Sequence, residues 1–194
     1  MENNVQRCPW CGTDPLYVDY HDTVWGRPEY NSQALFEKLC LDGQQAGLSW
    51  LTILRKQENY RQAYAGFDPE QLVRFDDSDV ARLLDNPGIV RNRLKVRSVL
   101  NNARRYLQLK EQGQAFSDFL WQFVDGQPIQ NRWRLFEEVP TETAESRAMS
   151  RALKKAGFTF VGPTIVYAFM QATGMVNDHL IDCHVHEECR RLAD

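Results

Sequence analysis

The cysteines and histidines of this chain gather at its two ends, and that placement constrains the fold more than any other feature. Cys8, Cys11 and His21 lie near the start; His179, Cys183, His184, His186 and Cys189 lie near the finish, with Cys40 alone between them. Nitrogen and sulfur donors of this kind suit zinc, which takes four of them tetrahedrally. His179 and Cys183 are four residues apart, so one helical turn would put both on one face. Joined to Cys8 and His21, they would fasten the two termini together. A second set stays open, in which the C-x-x-C of Cys8 and Cys11 combines with His186 and Cys189. The five cysteines are an odd number, and they are expected as thiols or metal ligands in a reducing compartment rather than as disulfides.

A chain of 194 residues that is 43% hydrophobic can bury a core of its own, as one domain or two small interlocked ones. No apolar run approaches the roughly 20 residues of a membrane span, and MENNVQRCPW lacks the basic-then-apolar layout of a signal peptide. The expectation is a cytoplasmic protein with no membrane partner.

The periodicity is helical almost throughout. Asn31 or Ser32 caps a helix to about Ala46 whose stripe runs Leu35, Leu39, Asp42, Ala46, with Phe36, Cys40 and Gly43 beside it. Ser49 caps a second helix to Tyr64, Asp68-Pro69 opens a third, and Asp77 or Ser78 opens a fourth that ends near Asn86-Pro87-Gly88. The longest runs from Arg91 to Gln112, with Val96, Val99, Leu100 and Ala103 inward. Further helices are expected at 115–124, 144–156 and 163–173, and residues 125–146 form one long irregular connection. No segment alternates strictly enough for a strand, so the fold class is all-α.

A net charge of −3 argues against a protein that coats nucleic acid indiscriminately, but the charge is unevenly spread. Residues 91–110 carry Arg91, Arg93, Lys95, Arg97, Arg104, Arg105 and Lys110 without one acid, which is the footprint of a polyanion site. Just before them, NPGIVRNRLK ends one helix in Pro-Gly and restarts another within a few residues. Such a turn points backbone N–H groups outward, as at Gly88, and Arg91, Arg93 and Lys95 add charge for a phosphate. Lys154 and Lys155 in LKKAGFTFVGPTI read equally as a second phosphate contact or as basic residues suited to a helix C-terminus.

The first fifty residues hold Trp10, Tyr17, Tyr20, Trp25, Tyr30 and Trp50. Aromatics more often fill cores, but WCGTDPLYVDYHDTVWG is too rich in turn residues to be simply a core helix. An aromatic-lined pocket with one acid would stack a flat base and favour a cationic one. The acid on offer is Asp42, in LCLDGQQAGLSW.

Taken in order, YVDYHDTVWGRP, LFEKLCLDGQQAGLSWLTILRKQENYRQAY, NPGIVRNRLK and LKKAGFTFVGPTIVYAFMQATGMVNDH, flanked by Cys8 and Cys183, resemble the bacterial DNA-3-methyladenine glycosylase I family. The likeness spans about Cys8 to Cys183. It implies a helix-hairpin-helix glycosylase fold with a central helical domain at about 34–115, hairpin 86–95, and a second helical domain built from about 1–33 plus 116–194. It selects Cys8, His21, His179 and Cys183 as ligands of one structural zinc. It places the base pocket at Tyr17, Tyr20 and Trp50, with Trp10 nearby, and the hairpin at Pro87 through Lys95, where Gly88, Arg91, Arg93 and Lys95 are the expected DNA-backbone contacts.

The position of the family's pocket glutamate falls on Asp42, which is one methylene shorter. The activity implied is release of 3-methyladenine from alkylated double-stranded DNA by base flipping, with Asp42 as the catalytic carboxylate and no lyase step, by a monomer. A different class of function follows if the shorter acid has left the pocket non-catalytic: a zinc-stapled module that binds DNA or the alkylated base without turnover.

Overall fold

The computed structural model describes residues 5–193. Eleven α-helices are found among them, and most begin where a short polar side chain takes up the first free amides of the helix. Asp14 caps α1 (Pro15–Thr23) by accepting from the Leu16 and Tyr17 amides, and Asn31 caps α2 (Ser32–Gln45) through those of Gln33 and Ala34. Ser49 caps α3 (Trp50–Leu54), which gives way at Arg55-Lys56 to α4 (Gln57–Ala63). The single helix expected from Ser49 to Tyr64 is therefore two, because the α3 ladder closes in a tight turn at Arg55.

Asp68 caps α5 (Pro69–Leu72), and Asp76 forms a capping box with Asp79 at the head of α6 (Asp77–Asp85). Asn92 caps α7 (Arg93–Glu111), two residues later than the basic run suggests. Then follow α8 (Phe116–Trp121), α9 (Ala144–Lys155), α10 (Pro163–Ala172) and α11 (His186–Arg191).

Apolar α10 packs against α9 and α2, and α2 packs in turn against α7. One continuous core runs from Leu35 to Val176 and includes the fully buried Leu35, Leu39, Tyr60, Val96, Val99 and Phe169. Two smaller clusters sit beside it, one around Cys8, Cys183, Val185 and Cys189, the other around Tyr20, Trp25 and Ala172.

The all-α expectation holds in substance, with one addition. β1 (Ile129–Gln130) and β2 (Val176–Asn177) pair in parallel over two residues, too short a stretch to show alternation. Among the described residues no helix is long and apolar enough to cross a membrane.

Candidate active site and metal centre

α1 carries Tyr17, Tyr20 and His21, so one helix serves two sites. Trp10, from the turn before it, packs on Tyr17 with ring centroids 5.1 Å apart and on Trp25 at 4.9 Å. Tyr20 reaches across to Trp50 at 5.6 Å. Trp50 is placed by the reversal between α2 and α3, which requires the positive φ of Gly47 (+77°). Together these rings wall a cavity of about 570 Å³, closed on other sides by Asp42, Thr164, Tyr167 and the 136–141 segment. Tyr30 is elsewhere, stacked on Trp121 at 4.3 Å.

Asp42 is 2% exposed in the cavity wall. Burial raises its carboxyl above the usual range, against the pull of Lys38. Lys38 lies one turn earlier on α2 and donates to Asp42 Oδ1, while its ammonium sits 3.7 Å from the centre of the Trp50 ring. The same burial lowers the Lys38 pKa, with Asp42 opposing it. Asp42 Oδ2 is buried without a hydrogen-bond partner, an acceptor still free for a donor. The sequence reading missed Lys38 by assigning faces from apolar residues alone; its i, i+4 spacing to Asp42 is the signal that would have found it.

A second cavity-lining acid was also missed. Asp178 accepts from Asn131 Nδ2 and Trp133 Nε1 at 2.7 Å each, from Tyr167 Oη at 2.6 Å and from Gln171 Nε2 at 2.9 Å. With four donors it ties α10 and the 131–133 segment to the loop before His179.

Cys8, His21, His179 and Cys183 are all buried, and their ligand atoms lie within 4.8 Å of one another. Cys183 Sγ is 3.5 Å from His21 Nε2 and 3.6 Å from His179 Nδ1; Cys8 Sγ is also 3.6 Å from His179 Nδ1. Metal bonds of about 2.3 Å to sulfur and 2.0–2.1 Å to nitrogen, at tetrahedral angles, would leave such pairs about 3.5 Å apart. The outer ring nitrogens are engaged as a metal centre requires: His21 Nδ1 with Asp22 Oδ1 at 2.7 Å, His179 Nε2 with the Trp25 carbonyl at 3.0 Å. Cys8 and Cys183 share a hydrogen bond that pushes the Cys8 thiol up and the Cys183 thiol down, leaving a proton for a metal to displace. The four residues thus form a Cys2His2 group suited to a metal, joining the two ends of the chain.

His179 and Cys183 come together through a turn rather than a helix, with the Cys183 amide donating to the Leu180 carbonyl at 2.8 Å. The rival ligand set is not assembled: Cys11 Sγ donates to the Cys8 carbonyl, and His186 Nε2 faces the Asn131 carbonyl. Gly26 packs so tightly on His179 that a Cβ there would lie 2.8 Å from Nε2.

The hairpin between α6 and α7 differs in detail from expectation. Its Gly88 amide is taken up within the turn by Asn86 Oδ1 at 2.8 Å, and its Val90 amide by Tyr60 Oη of α4 at 3.0 Å. Arg91 and Arg93 project from it, exposed. Lys95 does not: it is 7% exposed, and its ammonium donates to the Gln44 and Ala46 carbonyls at 2.7 and 2.6 Å. The free carbonyls at the end of α2 draw it inward, so its charge faces those carbonyls and not the surface that carries Arg91 and Arg93. Lys154 and Lys155 are exposed in the last turn of α9, and the turn after them is bound to α7 through Asn101 and Asn102.

The fold, with its helical hairpin presenting arginines and its aromatic-walled cavity holding one incompletely bonded acid, is that of the helix-hairpin-helix glycosylase class. Residues 10–186 match the family model described as methyladenine glycosylase. The chain is 51% identical over 179 residues to DNA-3-methyladenine glycosylase 1 of Escherichia coli K12, covering 92% of this chain and 96% of that protein. A crystal structure of 3-methyladenine DNA glycosylase I superposes with a TM-score of 0.92 at 51% identity, covering 93% of this chain and all of that one. A tyrosine-to-phenylalanine variant of 3-methyladenine DNA glycosylase I, in complex with 3-methyladenine, superposes at 0.89 with 40% identity, covering 92% of this chain and 96% of that one. The chain belongs to the methyladenine glycosylase family.

Proposed function

We propose that this protein hydrolyses the N-glycosidic bond of 3-methyladenine in alkylated duplex DNA, releasing the free base without a lyase step. The observation that carries the reading is Asp42 Oδ2, a buried acceptor without a partner in a cavity walled by Trp10, Tyr17, Tyr20 and Trp50. Methylation at N3 makes the purine a cation whose glycosidic bond is already weakened, so departure needs no protonation. The flipped base stacks on the rings, and Asp42 accepts from its edge. The base leaves as the neutral purine with the bonding electron pair; water adds to C1′ of the sugar and gives up a proton. Arg91 and Arg93 hold the DNA backbone.

Residues 34–115 supply the hairpin, Lys38, Asp42 and Trp50, while 1–33 and 116–194 supply the other walls; this division is part of the proposal. Zinc is the metal that the Cys8, His21, His179 and Cys183 set fits, in a structural role. It would cross-link the ends of the chain, and no step of the hydrolysis passes through it.

Zinc-loaded protein should release free 3-methyladenine from alkylated duplex DNA. The pairing of Lys38 with Asp42, which neutralises the pocket acid, favours one other reading, a module that binds without turnover. Binding of the base without any release would establish that second reading. Neither binding nor release would dismiss both.

A further inference from the structure

The proposed reading calls on two features for a cationic purine: the face of Trp50 and the carboxylate of Asp42. Both are engaged by Lys38. Its ammonium is 3.7 Å from the Trp50 ring centre and donates to Asp42 Oδ1, and its side chain is only 15% exposed. A purine cannot stack on the same ring face while the ammonium stays there, since both need van der Waals contact with it.

A place to move to exists. Lys38 and Ala172 form part of the wall between the main cavity and a second one of about 290 Å³. That second cavity is lined by Glu29 and Glu37 and also by Arg27 and Arg61; Arg27 is already paired with Glu188 and Arg61 with Glu37, which leaves Glu29, among the described residues, as the carboxylate there with no guanidinium partner for an incoming ammonium. Glu37 already accepts from Arg61 Nε at 2.8 Å and from Gln57 Nε2 at 3.3 Å, so its position is fixed.

Resting on the base-pocket reading, the geometry points to Lys38 as a resident cation that the alkylated base must displace, a residue that determines affinity and specificity for the reaction. Entry of the base is then an exchange. The cationic purine replaces the ammonium on Asp42 and Trp50, and Lys38 withdraws into the second cavity toward Glu29. A neutral adenine meets the same obstacle with no charge to replace the one it removes, so Asp42 would be left buried and unpaired. The lysine thereby raises the threshold for any base and leaves it surmountable by a cationic one.

The first test uses the unaltered protein. Ring current from Trp50 should shift the Lys38 side-chain methylene signals upfield in NMR spectra, and titration with the 3,9-dimethyladeninium cation, which keeps its charge because N9 is substituted, should return them to ordinary positions, whereas neutral 9-methyladenine should not. Signals that stay shifted at saturation would overturn the exchange. The second test measures 3,9-dimethyladeninium affinity, and KM and kcat on methylated DNA, for Lys38→Met and Lys38→Gln, with folding checked by circular dichroism. Lys38→Gln keeps a donor for Asp42 without the charge, should Lys38→Met fail to fold.

Tighter base binding and a lower KM, each by about tenfold, are expected, with kcat changed less. Equal or weaker binding would overturn the inference and make Lys38 a bystander or a contact to the base. Trp50→Ala separates the two levels: if it leaves base binding unchanged, the pocket reading itself fails, whatever Lys38 does.

Discussion

Lys95 and Gln44 are joined twice. The Lys95 ammonium donates to the Gln44 carbonyl at 2.7 Å, and Gln44 Nε2 donates to the Lys95 carbonyl at 3.0 Å. The pair links the helix that follows the hairpin to the end of the helix that carries Asp42, so the proposed DNA contacts and the proposed base pocket hold a fixed relation. Lys95→Met should lose about 1.5–3 kcal/mol of stability, read by urea unfolding, because a charge-assisted bond to buried carbonyls is removed. The salt dependence of DNA binding should be unchanged.

Arg91→Ala and Arg93→Ala should behave oppositely. Each should weaken DNA binding, and reduce the slope of log K against log salt by about 1, with stability and base preference unaltered. Filter binding or fluorescence anisotropy over a salt series distinguishes the three variants.

Asp42→Asn leaves the Lys38 ammonium buried beside a neutral amide. Removing one partner of a buried pair costs about 3–5 kcal/mol, visible as a lowered unfolding midpoint. The double variant Lys38→Met/Asp42→Asn should recover most of that loss, since no charge is then stranded. Additive losses in the cycle would show that the two side chains do not interact.

Metal analysis should find zinc lost from Cys8→Ser and from Cys183→Ser and retained by Cys11→Ser and Cys189→Ser. Asp22→Ala should lower zinc affinity by roughly 10–100-fold, because Asp22 orients the His21 ring through its Nδ1.

The cap on α1 has a pH signature. A hydrogen bond from Arg55 holds the Asp14 carboxyl below its usual range, opposed by partial desolvation and aided by the Tyr17 and Leu16 amides. An acid with a depressed native pKa contributes stability that is fully present above its unfolded value, near 3.8, and is lost as pH falls through the native value. The difference in urea midpoint between the protein and Asp14→Asn should therefore be constant from pH 7 to 5 and shrink below pH 4. A difference independent of pH would mean that charge plays no part in the cap.

Helices with a polar cap followed by an apolar stripe were legible in the sequence: α2, α6, α7 and α9 lie close to where periodicity puts them. α1 was not, because its inward residues are Tyr17, Tyr20 and His21, which face a cavity and a metal group rather than a core. The site showed the same divide. Asp42 and the aromatic walls could be inferred from residue type and order, whereas Lys38 was not singled out and Lys95 read as a phosphate contact. Lys38 is turned inward by an acid one turn on in its own helix, a spacing the sequence does display, whereas Lys95 is turned inward by the carbonyls at the end of α2, about fifty residues earlier, which linear spacing does not show.

The segment from Cys8 to Trp25 supplies two of the metal ligands and, in Trp10, Tyr17, Tyr20 and Trp25, four aromatic residues of the cavity wall. On the proposed reading, metal and base are two ligands of one short stretch of chain, and thermodynamic linkage makes any coupling between them mutual. To whatever extent zinc steadies the rings for a damaged base, the damaged base must hold the zinc more tightly in return. A cell short of zinc would then lose its repair capacity first in the protein molecules that are not engaged on a lesion.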